Sequence, residues 1–151
     1  MDNANLLPSH KVAVLGVINA DNVAIGAVST AWVDMSLVLG LMATLNVGDI
    51  TASGTVDAKL EQATDAAGTG AKDITDKAIT QLTQAGGDSN KQALINLRSE
   101  ELDTNNSFTH ARLTITVAAA AADLSALVTG HSPINGPADQ HNIATVVEVI
   151  E

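Results

Sequence analysis

The sequence of this 151-residue chain predicts an all-β fold, a single antiparallel β-sandwich of the Greek-key or jelly-roll kind. Two stretches, residues 54–64 and 108–119, support the prediction first, because apolar and polar side chains alternate along both of them. A period of two is expected of a half-buried strand, since successive side chains leave opposite faces of a pleated sheet. The second observation is a series of short strand-forming runs with turn signals between them, which is typical of sandwiches and barrels. Long excursions between the strands favour the sandwich.

The alternation assigns each side chain of these two stretches to a face. In the first stretch the inward side chains are expected to be Val56, Ala58 and Leu60, with Asp57, Lys59 and Glu61 outward. In the second stretch the inward ones are Phe108, Ala111, Leu113, Ile115 and Val117, with Arg112, Thr114 and Thr116 outward. The two stretches are therefore expected to be partner strands around which the other strands are arranged.

Composition restricts the classes of partner. The net charge is −10, and Lys and Arg together number 7. Binding to nucleic acid or to an anionic membrane surface is therefore disfavoured, since both depend on basic side chains. One Trp, one Phe and no Tyr leave few aromatic anchors, so broad and shallow contact is favoured over a few strong contact points. No cysteine is present, which fits synthesis in a reducing cytoplasm.

The first half of the chain is predicted to contain an arm and several strands. Residues 1–10 are interpreted as an N-terminal arm, and residues 11–151 as one sandwich domain. Residues 36–45 are apolar at successive positions, which predicts a central strand covered on both faces. Trp32, the only indole, is expected to close one end of the core. The other strands of this half are expected at residues 11–18, 23–28 and 30–34, with turns at 19–22 and 47–50.

The second half contains one ambiguous segment and a predicted terminal strand. Residues 73–85 fit either a short amphipathic helix or two short extended pieces, and the all-β context favours the extended pieces. The five alanines at 118–122 are too few to form a helix alone. The strand at 143–150 is expected to be an exposed edge, open to another subunit. Other strands are expected at residues 92–98 and 123–129, with loops or corners at 66–71, 102–106 and 130–139.

The sequence shows no pattern of catalytic, metal-binding or phosphate-binding residues. His10, His110, His131 and His141 lack the spacing of metal ligands, and no cysteine assists them. Solvated loop histidines are favoured over a metal or pH-sensing role for His131 and His141. The glycine pairs match no phosphate-binding loop, and no serine lies in a nucleophile elbow. We therefore expect no enzyme activity and no cofactor.

The order of elements resembles a known family. The segments that carry the resemblance are residues 55–65, the Gly-rich hairpin after them, and residues 73–76, 79–82, 93–98 and 108–117. They resemble the small β-sandwich auxiliary capsid proteins of tailed bacteriophages and gene transfer particles, in which V-D-x-K-x-Q-x-S-D and R-Y-L-R-x-x-V-T-V strands recur. The resemblance covers residues 23–129. Phe108 stands where that family usually has an aromatic pair, residues 102–107 look like an extra loop, and the tail from residue 130 is longer.

The resemblance implies a structural virion protein, either a decoration or cement protein or the base of a head spike. Its expected place is the outer capsid surface, after synthesis in the host cytoplasm. Its expected partners are the major capsid protein, other copies of itself, and a head fibre or spike protein, with no direct contact to nucleic acid or membrane. The alternatives are a tail or head–tail connector component and a carbohydrate-binding, adhesin-like sandwich. The residues expected to make the contacts are Leu6, Leu7 and Pro8 of the arm, Pro133 and Pro137 of the loop, and Val146, Val147 and Val149 of the terminal strand.

Overall fold

The computed structural model describes residues 6–150, which form an all-β sandwich of two antiparallel sheets. One short helix, α1 (Pro8–Lys11), precedes the strands, and 3₁₀ helices occupy Ser99–Glu101, Thr104–Asn106 and Ala138–His141. The strands are β1 (Val12–Val23), β2 (Gly26–Ser29), β3 (Val33–Asp34), β4 (Val38–Ile50), β5 (Thr55–Ala63), β6 (Lys72–Ala78), β7 (Leu82–Thr83), β8 (Gln92–Arg98), β9 (His110–Ala118) and β10 (Ala122–Pro133). The predicted fold class is confirmed.

Each sheet is assembled from strands that are far apart in the sequence. Sheet I has the order β1-β10-β4-β8. Sheet II has the order β2-β9-β5-β6, with β3 beside β9 and β7 beside β5. Strands β5 and β9, the two stretches with the clearest alternation, pair from Thr55↔Ala118 to Ala63↔His110 without a register shift. They are the central pair of sheet II, as the sequence predicted.

The core lies between the sheets and consists almost entirely of aliphatic side chains. Every side chain assigned inward on the two alternating stretches is buried, from Leu60 and Leu113 at 0% exposed to Phe108 at 8%. Facing positions of sheet I complete the core with Leu41, Ala43, Leu45, Leu97, Leu124 and Val128. On the outward set the polar side chains are half-buried, except Thr114, which is buried at 7% exposure.

Two predicted turns are wrong, because strands β1 and β4 continue through them. Residues 19–22 belong to β1, whose register against β10 shifts between Ile18 and Asp21. Residues 47–50 belong to β4, and the register of β10 against β4 shifts between Ala122 and Leu124. Turn-forming residues are tolerated here because a bulge absorbs an extra residue while pairing resumes on either side. Gly130–Pro133, predicted as loop, likewise continues β10 opposite Leu41 to Val38.

The predicted C-terminal strand is also wrong, since residues 143–150 contain no strand. The Ile143 N–H donates to Val14 O at 2.9 Å, and the Asn142 Oδ1 accepts from Val14 N at 2.7 Å. The chain then turns, with Val146 N donating to Ile143 O at 3.0 Å. The turn carries the following residues away from the edge of β1, so no ladder of hydrogen bonds develops.

Two further expectations from the first half are corrected. Strand β4 is central in sheet I, between β10 and β8, but only its inner face is buried: Leu41, Ala43 and Leu45 are buried, whereas the outward Met42 and Thr44 are half-buried and Asn46 is exposed. Trp32 is half-buried and lies outside the core cluster, because its ring packs below Arg112 instead of between the sheets.

The ambiguous segment at residues 73–85 forms β6 and β7, so the two extended pieces are confirmed and the helix is wrong. Among residues 6–150 no helix is long and apolar enough to cross a membrane.

A candidate protein-binding surface

The outer face of sheet II carries a network of ion pairs. Glu61 Oε2 accepts hydrogen bonds from Arg112 Nε at 2.8 Å and from Thr114 Oγ1 at 2.7 Å. Lys59 Nζ lies 2.6 Å from Asp73 Oδ1 and 3.5 Å from Glu61 Oε1. These residues meet because β9, β5 and β6 are neighbours, which places outward side chains of the three strands side by side. These five polar side chains thus already have partners within the chain.

The electrostatics of Glu61 reflect these contacts. Desolvation by burial acts to raise the pKa of its carboxyl, whereas the hydrogen bonds from Thr114 and Arg112 and the nearby positive charges act to lower it. The lowering effects are larger together, so the pKa lies below its ordinary value and the side chain is ionised at neutral pH. The ionised Glu61 carboxylate thus pairs with Arg112 and lies near Lys59, and these contacts hold the neighbouring strands β5 and β9 together.

Trp32 is covered on this same side of the molecule. The Arg112 guanidinium lies 4.5 Å from the centre of the Trp32 ring. A Cβ added to Gly68, whose φ is +85°, would lie 2.6 Å from Trp32 Nε1, so the Gly68 backbone packs directly on the indole. Phe108 is buried beneath Lys72, whose Nζ lies 4.2 Å from its ring centre. Neither aromatic ring of the chain is open for stacking on a sugar.

The outer face of sheet I differs because its middle carries no ionisable side chain. The strand registers align its outward side chains in three rows across the sheet. We call these residues the uncharged face: Val14, Thr129, Met42 and Asn96 in the first row, Val17, Leu127, Thr44 and Leu94 in the second, and Ser125, Asn46 and Gln92 in the third. In a chain of net charge −10, an uncharged patch that spans a whole sheet is a candidate contact surface.

Two apolar side chains on the uncharged face are well exposed, and several of its polar groups are already bonded. Leu94 is 57% exposed and Leu127 39%. Thr129 Oγ1 donates to Met42 O at 3.3 Å, and Gln92 Nε2 donates to Asn46 Oδ1 at 3.0 Å. Covering this face would therefore remove apolar area from water while leaving these polar groups hydrogen-bonded.

Charged residues flank the uncharged face at its two ends. At one end Arg98 lies in the row Val12–His131–Gly40–Arg98, where its Nη1 approaches Glu100 Oε1 at 2.9 Å. At the other end Asp123 accepts a hydrogen bond from Asn22 Nδ2 at 2.7 Å. An apolar centre with a polar rim is the usual anatomy of a protein–protein interface.

The structure brings two of the three predicted contact groups to one end of the sandwich. Helix α1 packs against the Ala138–His141 helix, which Pro137 precedes directly. Pro133 ends β10 opposite Val38 and is half-buried. Residues Leu6, Leu7 and Pro8 are exposed beside this end, as is Ile134 at 50%. We call Leu6, Leu7, Pro8, Pro133, Ile134 and Pro137 the terminal cluster.

The third predicted group lies elsewhere, at the edge of β1. Val146 is half-buried, whereas Val147 is 95% exposed and Val149 is 40% exposed. This segment presents apolar side chains to water without any strand partner among the described residues. Its apolar character was read correctly from the sequence, but its placement in a strand was not.

Sequence reasoning missed the uncharged face altogether. A signal was present in residues 36–45, whose apolar side chains on both faces were taken to indicate cover on both sides. The structure shows that the chain covers one face of β4 and leaves the other open.

The histidines bond locally, His131 Nε2 with Thr129 Oγ1 and His141 Nε2 with Asn135 O, both at 3.0 Å. Within residues 6–150 no group of three or more His, Asp or Glu could hold a metal ion.

No protein-family model and no curated protein matches the sequence. Among solved structures, a chain of infectious bursal disease virus (Gt strain) is 13% identical with a TM-score of 0.43, over 80% of this chain and 33% of that one. A chain of the cowpea mosaic virus empty virus-like particle is 12% identical with a TM-score of 0.43, over 89% and 90%. A chain of Desmodium yellow mottle tymovirus is 12% identical with a TM-score of 0.43, over 92% and 100%. This chain spans about a third of the length of the infectious bursal disease virus chain. Similarity at this level does not transfer a function from these viruses to this chain.

Proposed function

We propose that this chain is a structural virion protein without catalytic activity, a decoration or cement protein on the outer surface of a phage capsid. The resemblance of its strand sequences to phage auxiliary capsid proteins motivates the proposal. The observation that carries it is the contrast between the two outer faces: one carries its own ion pairs, and the other is uncharged with Leu94 and Leu127 exposed near its middle. The major capsid protein is the proposed partner of the uncharged face, and the host cytoplasm is the proposed place of synthesis.

The terminal cluster is the proposed second contact with the shell. It adjoins the uncharged face, since α1 leads directly into β1 at Val12 and Pro133 ends β10 in the same sheet. Leu6, Leu7, Pro8, Pro133 and Pro137 would then extend the contact beyond the edge of sheet I. Shallow contacts of this kind are individually weak. When a fibre or spike protein, or contacts between the copies themselves, link copies at neighbouring sites, multivalent binding raises the overall affinity for the shell.

Co-sedimentation with empty shells of the phage that carries this gene tests the proposal. Replacement of Leu127 by Glu places a charge in the centre of the uncharged face, where burying it against an apolar partner is costly. We expect the L127E variant to bind shells at least about tenfold more weakly than the unchanged chain. The matched control is Ala27→Glu, which adds the same charge at an exposed position of β2 in sheet II and should bind as the unchanged chain does.

Three outcomes would contradict the proposal. Equal binding by both variants would remove the uncharged face as the contact surface. Absence of shell binding by the unchanged chain, together with a closed ring in isolation, would favour the tail or head–tail connector alternative. The carbohydrate-binding alternative lacks support because both aromatic rings are covered, and retention on a glycan array would revive it.

A further inference from the structure

The sheet edges are formed by β1 and β8 in sheet I and by β2, β3, β6 and β7 in sheet II, and all of them except β8 carry features that discourage pairing with another chain. Strand β1 has two register shifts, and Asn142 and Ile143 bond to its outer edge at Val14. Strand β2 has only four residues, and β3 and β7 have two residues each. Strand β6 shifts register against β5 and carries Lys72, Asp73, Asp76 and Lys77. Bulges, short length and charges are the usual protections of an exposed edge.

Strand β8 lacks these protections. It pairs with β4 in unbroken register from Gln92↔Asn46 to Gly40↔Arg98, and Arg98 is its one charged residue. Among residues 6–150 no strand pairs with its other side, because β6, which lies next to it in sheet II, pairs with β5. A regular edge of this length, with a charge only at its last residue, is a template on which another strand can add.

The C-terminal segment has the complementary property, since it has the composition of a strand but no sheet. Residues 143–150 are rich in β-branched residues, and Val147 and Ile150 are 95% and 81% exposed. Extended, these residues would span about 26 Å, compared with about 23 Å for β8, at about 3.3 Å per residue. Glu148 is the one charged residue of the segment, and the Arg98 side chain on β8 is 71% exposed. Arg98 is already paired with Glu100, so the proposal rests on the regular edge of β8 and on the composition of the segment.

We propose that residues 144–150 of one copy add as a strand along β8 of a second copy. The segment starts at the edge of β1, and β8 is at the opposite edge of the same sheet, about 14 Å away across the intervening strands. Pairing within one copy would require the segment to cross the sheet face before it could run along β8. Pairing between copies places the segment of one molecule on the free edge of β8 of the next and extends that sheet by one strand. Each copy gives one segment and accepts one, so the contact repeats head to tail into a ring or a filament. Shell binding is not required for it.

The absence of cysteine makes a disulfide cross-link a direct test. Chains carrying Val147→Cys or Val149→Cys are mixed with chains carrying Leu94→Cys or Asn96→Cys under oxidising conditions. Leu94 and Asn96 project from the same face of β8, so the four pairings sample different registers. We expect a mixed dimer in at least one pairing. The control partner is Leu39→Cys on β4, which is 56% exposed against 57% for Leu94. It should yield at least about tenfold less dimer, because a disulfide forms only when the Cα atoms are within ~7 Å.

Sedimentation at increasing concentration provides the second measurement. The unchanged chain should self-associate, and a chain ending at Ile143 should remain monomeric with an unchanged circular dichroism spectrum. That truncation keeps the two hydrogen bonds at Val14. Equal cross-linking to Leu39→Cys, equal association of the truncated chain, or a monomer without cross-links at any concentration would each overturn the proposal. These outcomes are distinct from the L127E shell experiment, which tests the outward side chains of sheet I and not the backbone edge of β8.

Discussion

At the scale of single residues, Glu61 illustrates how a period-two pattern becomes a stabilising network. The alternation of β5 directs Glu61 outward, and the neighbouring strand places Arg112 and Thr114 against it. Its side chain is 14% exposed, so its bonds are shielded from water more than those of an ordinary surface pair. The sequence predicted the outward direction of all three side chains, but their mutual contact follows from the register of β5 against β9.

Replacement of Glu61 by Gln tests the strength of this network. The amide keeps a hydrogen-bonding side chain of the same shape but removes the negative charge that faces Arg112 and Lys59. We expect a loss of about 1–2 kcal/mol in the free energy of unfolding at pH 7, measured by urea denaturation. Asp57→Asn is the matched control on the same strand and face, since the Asp57 carboxylate accepts from the neutral amide of Gln81. Equal losses in both variants would show that the charge pairing contributes nothing.

At the scale of elements, strands of sheet I extend well beyond their local sequence signals. Strand β10 reaches Pro133 because β4 supplies partners up to Val38, and it passes Gly130 where a side chain would not fit. A Cβ on Gly130 would overlap Leu15 Cδ1 and lie 2.8 Å from Val38 Cγ1. The glycine that suggested a loop is therefore required by close packing inside a strand.

Replacement of Gly130 by Ala should destabilise the sandwich by about 1–3 kcal/mol through overpacking of the core. The matched control is Gly40→Ala on β4, where an added Cβ would meet only Leu97 O at an ordinary 3.7 Å. That variant should be neutral or slightly more stable, because alanine lowers the entropy of the unfolded chain. Thermal denaturation of the two variants makes the comparison. A stable G130A variant would mean that Leu15 and Val38 can move aside without cost.

At the scale of the whole molecule, the acidic side chains are placed so that many of them have favourable partners. The pKa is lowered at Asp34, Glu61, Asp65, Asp88, Glu101 and Asp103. At Asp103 the main cause is the hydrogen bond from Lys72, and at Glu101 it is the backbone N–H of Arg98. Negative charge is thus concentrated on sheet II, the loops and the sheet ends, which leaves the uncharged face free for contact.

Acid should destabilise the chain as a consequence. The lowered pKa values mean that the unfolded chain, with ordinary values of 4.5 for Glu and 3.8 for Asp, takes up protons at higher pH than the folded chain. The stabilisation is therefore complete at neutral pH and is lost as the pH falls from about 5 through the folded-state values. We expect the urea concentration at the unfolding midpoint, measured at pH 7, 5, 4 and 3, to decrease once the pH is lowered beyond about 5. A midpoint that rises on acidification would show instead that repulsion among the acidic groups dominates.

Part of the candidate surface could be predicted from the sequence. Exposure of Leu6, Leu7 and Val147 was expected from their terminal positions, and the structure shows them exposed. The uncharged face could not be predicted in this way, because its rows combine residues of β1, β10, β4 and β8 that only the strand order aligns. Local patterns record which face a side chain takes, but not which strand lies beside it.

By itself the sequence determined the fold class, the inward and outward sides of β5 and β9, and the position of β8, because these depend on a local alternation of side chains. The tertiary structure decided where β1, β4 and β10 end, since hydrogen bonds from a distant partner strand outweigh local turn preferences. It also decided that residues 143–150 remain unpaired and that one face of sheet I stays open. Both depend on which edges and faces the rest of the chain covers, a non-local property that no short stretch of sequence contains.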